Sequence, residues 1–188
     1  MIKMLSSTGH RFIALSKESK DLNIIVVDIG YSAKRRTCGI SWSDDKCEKY
    51  QFGEAIRCVA EQINNYKIQV IVLEAVLSTY HVDNGNPDIR GDFERGRGWY
   101  FGAGVLTFAA AKRFLSELVY ELEKDIYLAE AFLSRQGKNG SHCEDAKLIR
   151  KEFWKTQPAE LKEKVKPSSS YVNGVPPVRV FSYKNGVG

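Results

Sequence analysis

The chain has no long apolar run. None of its hydrophobic stretches approaches the roughly 18 residues of a membrane-spanning helix, so no membrane partner is expected. The N-terminus, MIKMLSSTGHRF, lacks the apolar core of a secretory signal, and a cytoplasmic protein is the expectation. No internal repeat is visible. Cysteine is sparse and unpatterned. Cys38, Cys47, Cys58 and Cys143 include no C-x-x-C pair and no zinc-ligand spacing. All four are read as reduced thiols. Cys38 and Cys47 are placed to face each other on a hairpin, but a disulfide there would be unusual in the cytosol.

What is present fits an ordinary globular protein. The 188 residues are 43% hydrophobic and 27% charged, enough for a sizeable core in one domain. The net charge of +5 and the pI of about 8.9 permit binding to a polyanion without establishing it.

Residues 1–20 show no periodicity and read as an N-terminal arm. Asn23-Ile-Ile-Val-Val-Asp28 is a short apolar run ending in an acid, the pattern of a buried central strand. A second strand over Thr37–Trp42, the turn Ser43–Lys46 and a more polar third strand to about Phe52 make a hairpin. Residues 54–65 place Ala55, Ile56, Val59, Ala60 and Ile63 on one helical face. Ile68–Glu74 is a fourth strand, again apolar and again ending in an acid. Residues 78–98 are polar and glycine-rich and read as a long loop. A helix is expected over 99–123, with Val105, Leu106, Ala109, Leu115, Leu118 and Leu122 inward. A fifth strand spans Asp125–Glu130, and a last helix Ser141–Trp154. From residue 158 the chain reads as a basic tail, with Pro177–Phe181 docking as an extended piece.

Strand-ending acids are the chemical signal. Asp28 has an ordinary reading as a turn former before Gly30. Glu74 has one as half of a buried salt bridge, because an unpartnered glutamate after Val-Ile-Val-Leu would be costly. If the two strands are parallel neighbours, however, both acids meet at one sheet edge. Carboxylates that close repel, and a divalent cation with oxygen ligands relieves the conflict. In Ser141-His-Cys-Glu144-Asp145, Ser141 and Glu144 fit a capping box, which leaves Asp145 to reach the same edge as a third ligand. Glu130 is the rival, and Asp145 is favoured over it. His142 is either a plain first-turn residue or an auxiliary site residue.

Three segments also carry a family resemblance. Val27-Asp28-Ile-Gly-Tyr-Ser-Ala-Lys-Arg-Arg-Thr-Cys-Gly39 resembles the opening strand and hairpin of RNase H-like nucleases, especially RuvC-type Holliday-junction resolvases and related predicted nucleases. Val-Leu-Glu74 is similar to their fourth-strand acid. His142-x-x-Asp145-Ala146 is similar to their last-helix motif. The resemblance covers roughly residues 23–155. It implies an α/β, RNase H-like fold with a five-stranded sheet in the order 3-2-1-4-5, strand 2 antiparallel and helices on both faces. It further implies two-metal phosphodiester hydrolysis with Mg2+ or Mn2+ held by Asp28, Glu74 and Asp145. His142 would then be an auxiliary ligand or proton carrier.

Cations and rings follow the acids. Lys34, Arg35 and Arg36 on the hairpin, and Arg95 and Arg97 after Glu74, are the expected contacts to a DNA or RNA backbone. Tyr80, His81, Arg90, Trp99 and Tyr100 lie among them, and rings can stack on bases. Gly98-x-x-x-Gly102-x-Gly104 reads as close packing, not as a phosphate cradle. A homodimer is allowed for. The competing readings are a non-catalytic module of the same fold that binds nucleic acid or protein, and an actin-like ATPase fragment, which the chain length disfavours.

Overall fold

The run Asn23–Asp28 is apolar on both faces, and a strand so composed must be covered on both sides. In the computed structural model it lies at the centre of a mixed sheet. The structure describes residues 2–4, 23–32, 34–43, 45–89, 95–96, 98–134, 141–153, 166–170 and 180–184. The elements are β1 (Ile2–Met4), β2 (Asn23–Asp28), β3 (Cys38–Ser41), β4 (Cys47–Tyr50), α1 (Phe52–Asn65), β5 (Ile68–Glu74), β6 (Ser78–His81), α2 (Gly102–Glu121), β7 (Ile126–Ser134), α3 (His142–Glu152), β8 (Lys166–Ser170) and β9 (Val180–Lys184).

The five expected strands form the sheet in the expected order, β4-β3-β2-β5-β7. β3 is antiparallel to β2 and β4, whereas β5 is parallel to both β2 and β7. Two further short strands, β1 and β9, pair in parallel with successive stretches of β7. Part of the N-terminal arm and part of the basic tail are therefore sheet strands. The docking expected at Pro177–Phe181 is seen at Val180–Lys184.

Side-chain alternation divides the core in two. Ile25, Val27, Ile71, Leu73 and Leu128 face α1 and α2. Ile24, Val26, Val70, Val72 and Ala129 face α3 through Ala146, Ile149 and Phe153. The buried face of α1 is the expected set Ala55, Ile56, Val59, Ala60 and Ile63. A hydrogen bond from the Gln51 amide to Glu54 Oε2 (3.1 Å) helps to start that helix.

Three expectations are corrected. Leu115 and Leu118 of α2 are buried, but Val105, Leu106 and Ala109 are exposed, and the inward positions are instead Ala110, Ala111 and Phe114. At 3.6 residues per turn Leu106 points away from the side that carries Leu115, and with Ala109 it lines a cleft instead of the core. The stretch read as a loop opens with β6, which pairs antiparallel with β8 from the tail and buries Tyr80. That partner is 85 or more residues away, and local patterning cannot reveal it. Finally, the cysteines are not all thiols. Cys47 on β4 is bonded to Cys143 on α3, and Cys38 and Cys58 are free. Cys38 and Cys47 stand at opposite ends of the hairpin register, paired with Tyr50 and Ser41, so they do not meet.

Among the described residues, no helix is long and apolar enough to cross a membrane.

Candidate metal centre

The pleat dictates where the acids point. In the parallel β2–β5 pair, Asp28 is registered directly against Glu74. Both share the parity of Val26 and Val72, so both side chains emerge on the face covered by α3. That helix starts at Ser141, whose side chain accepts a hydrogen bond from the Glu144 amide (3.3 Å), as an N-cap should. Asp145 in its first turn then faces the ends of β2 and β5. Ligand oxygens of Asp28, Glu74 and Asp145 all lie within 4.8 Å of one another, with Asp28 and Asp145 buried and Glu74 half-buried. The donor set is all carboxylate oxygen, which suits a hard divalent cation such as magnesium or manganese.

Glu130 is excluded from this group by the same alternation. It is registered against Leu73, one position before Glu74, and so lies on the opposite face. There it is fully buried and accepts the Leu77 amide at 2.8 Å. Replacing Glu130 with alanine is therefore expected to destabilise the protein by about 1–3 kcal/mol, the cost of leaving a buried donor without its acceptor. It should leave any metal-induced rise in melting temperature unchanged. Asp145→Ala should do the reverse. Thermal melts of the two variants with and without metal check this assignment, and a metal response lost with Glu130 instead would overturn it.

His142 donates from Nδ1 to Asp28 Oδ1 at 2.9 Å and remains about two-fifths exposed. Its pKa is raised, chiefly by this hydrogen bond. Burial opposes the shift, and the negative charges of Asp28 and Asp145 reinforce it. The contact fixes the ring and leaves Nε2 available for a proton.

A glycine makes this approach feasible. Gly39 on β3 is paired with Asp28. A Cβ at Gly39 would fall 2.3 Å from the His142 carbonyl oxygen and 2.7 Å from the Cys143 nitrogen. The start of α3 thus rests directly on the β3 backbone. The sequence reading missed this role, although a glycine inside a strand is a signal for close backbone approach. Gly39→Ala must push α3 outward. We expect a loss of about 1–3 kcal/mol from overpacking, and weaker metal binding although no ligand is altered. Calorimetric titration with manganese would check the second effect.

The disulfide ties the same helix end. It bonds Cys143, between His142 and Asp145 in sequence, to β4, with the two Cα atoms 5.6 Å apart. Further along, Arg150 donates to the Ile24 carbonyl at the start of β2. Cys38 lies under the site and donates to the Gly30 carbonyl at 3.0 Å. Burial raises its thiol pKa to about 11, which keeps it protonated and unreactive.

Asp28 and Glu74 open onto a cleft of about 390 Å³ lined also by Ile29, Gly96, Phe101, Thr107 and His142, among others. It sits beyond the carboxyl ends of β2 and β5, where ligands bind in open α/β sheets. The expected basic contacts are less concentrated. Lys34, Arg35 and Arg36 are exposed on the β2–β3 connection, with the first two amides near Ser32 Oγ and Arg36 3.7 Å from Glu54. None of the three lines this cleft. Arg95 is exposed and immediately precedes Gly96, whereas Arg97 lies outside the described residues.

Comparison of the chain with protein-family models, with curated proteins and with solved structures finds no match in any of the three.

Proposed function

We propose that the protein is a metal-dependent nuclease of RNase H-like type, hydrolysing phosphodiester bonds in DNA or RNA by a two-metal mechanism. The observation that carries this reading is the convergence of three carboxylates from β2, β5 and α3 within 4.8 Å, two of which, Asp28 and Glu74, line an open cleft. Two of them are buried, where like charges are least tolerable without a counter-ion. The sheet order and the sequence order of the three acids support the same reading.

Asp28, Glu74 and Asp145 would hold the metal. Divalent magnesium or manganese, when bound, supplies the positive field that activates water and offsets charge on the phosphate. Asp28, central in the sheet and bonded to His142, orients the imidazole. His142 then carries a proton between Nε2 and solvent at the cleft mouth. The exposed cations on the β2–β3 connection and Arg95 contribute attraction for a polyanion.

The direct test is a cleavage assay with magnesium or manganese over single-stranded, duplex, hybrid and branched substrates. The expected result is cleavage of at least one, lost in Asp28→Asn. Metal-independent cleavage would overturn the metal mechanism, and no cleavage by the wild type would overturn the reading in favour of a non-catalytic binding module.

A further inference from the structure

The acidic cleft does not end at the acids. It shares Ile29 and Thr107 with a second cleft of about 310 Å³, whose lining is completed by Tyr31, Leu106, Ala110 and Arg113 among others. This second cleft is largely apolar, with a cation at its far end. Its walls include Tyr31, 72% exposed, and Leu106, 69% exposed. Phe101, also exposed, lines the adjoining acidic cleft. Single exposed apolar residues are commonplace, but a contiguous group beside a candidate site marks a binding surface.

Tyr31 is also held in place. Its ring meets Phe52 edge-on at 5.1 Å, and Phe52 meets Phe114 edge-on at 5.7 Å. Phe114 is fully buried. A relay of rings therefore anchors one edge of Tyr31 to the core while most of its surface stays in solvent. A flat ring fixed in this way, three residues from Asp28, is a stacking platform. Arg113 is exposed and engages Glu117 at 3.0 Å, a surface pair of small energetic value that can yield to a phosphate.

Resting on the nuclease reading, we infer that this second cleft takes an unpaired nucleobase of the substrate strand, stacked on Tyr31 and seated against Leu106 and Ile29, with Arg113 holding an adjacent phosphate. Chemistry decides the occupant. A phosphate at the acids and an aromatic platform in the adjoining cleft suit neighbouring groups of one strand. A base inside a duplex has both faces covered by its neighbours and cannot offer one to Tyr31 without unstacking. The substrate class is therefore nucleic acid with unpaired nucleotides. Besides the Tyr31 hydroxyl, only Thr107 and Arg113 of the lining carry polar side-chain groups, so stacking dominates over edge reading and sequence preference is weak.

The test uses the full chain with calcium in place of magnesium. Fluorescence anisotropy is measured on four probes: a single-stranded DNA, the RNA of the same sequence, a blunt DNA duplex and an abasic DNA strand of equal length. Tyr31→Ala should weaken single-strand binding by roughly 10-fold or more, the cost of one base–aromatic stack. Duplex and abasic binding should not change, and Tyr31→Phe should restore the loss. The larger loss between DNA and RNA identifies the natural strand. Unchanged single-strand affinity in Tyr31→Ala would overturn the inference. So would an equal loss on the abasic strand, or a wild type that does not prefer bases to the abasic backbone. Base-dependent binding without cleavage in magnesium or manganese would retire the nuclease reading and leave this inference standing. Cleavage of single strands that is intact in Tyr31→Ala would do the opposite.

Discussion

On the proposed reading, magnesium or manganese at about 100 times its dissociation constant is expected to stabilise the wild-type protein by about 2.7 kcal/mol, because a cation held by the three acids would bind the folded state alone. For a chain of this size that is a rise in melting temperature of roughly 5–10 °C. Asp28→Asn should lose most of the rise. The substitution removes one of three negative charges gathered within 4.8 Å, and the amide oxygen can still accept from His142 Nδ1. The metal-free variant should therefore be as stable as the wild type or more so, while cleavage disappears. A structural aspartate would behave differently: its loss would lower stability by about 1–3 kcal/mol, and metal would change neither protein. Melting curves of both proteins, each with and without metal, decide the matter. Identical metal responses would remove Asp28 from the metal centre.

The second large effect concerns the Cys47–Cys143 bond. It closes a loop between residues 96 apart, and the chain-entropy account assigns a closure of about 100 residues roughly 4.7 kcal/mol. Reduction, or the double replacement by serine, should lower the melting temperature by roughly 10–20 °C. It should also diminish the metal response, because Cys143 stands between His142 and Asp145 at the end of α3 that rests on Gly39. Mass spectrometry after alkylation of the unfolded, unreduced chain should find two labels, on Cys38 and Cys58, and four after reduction. Four labels before reduction, or equal melting with and without reductant, would remove the bond from the native structure.

Much of the architecture was legible because it is written in short-range periodicity. The double-sided apolar strands ending at Asp28 and Glu74, the hairpin between them and the α1 face are local patterns, and crossover rules leave few ways to assemble them. The α2 face was misread because the apolar residues expected to face inward do not share one side of a helix with 3.6 residues per turn. At that spacing Leu106 points nearly opposite to Leu115 and lines a cleft, whereas the buried stripe runs through Ala111, Phe114, Leu115 and Leu118. The pairing of β6 with β8 and of β9 with β7 joins segments distant in sequence, where no local signal exists.

The candidate site divides along the same line. By itself the sequence determined that two strands end in acids, that a helix with an N-cap presents a third, and that these are carboxylates of the kind that suit a hard cation. Only the tertiary structure brought Asp145, and not Glu130, beside the other two acids. That choice depends on strand register, since a shift of one residue sends a side chain to the opposite face. It alone brought Cys47 to Cys143 and seated α3 on Gly39, because such contacts are set by how whole elements pack, and residues far apart in the chain acquire a distance only once the sheet has formed.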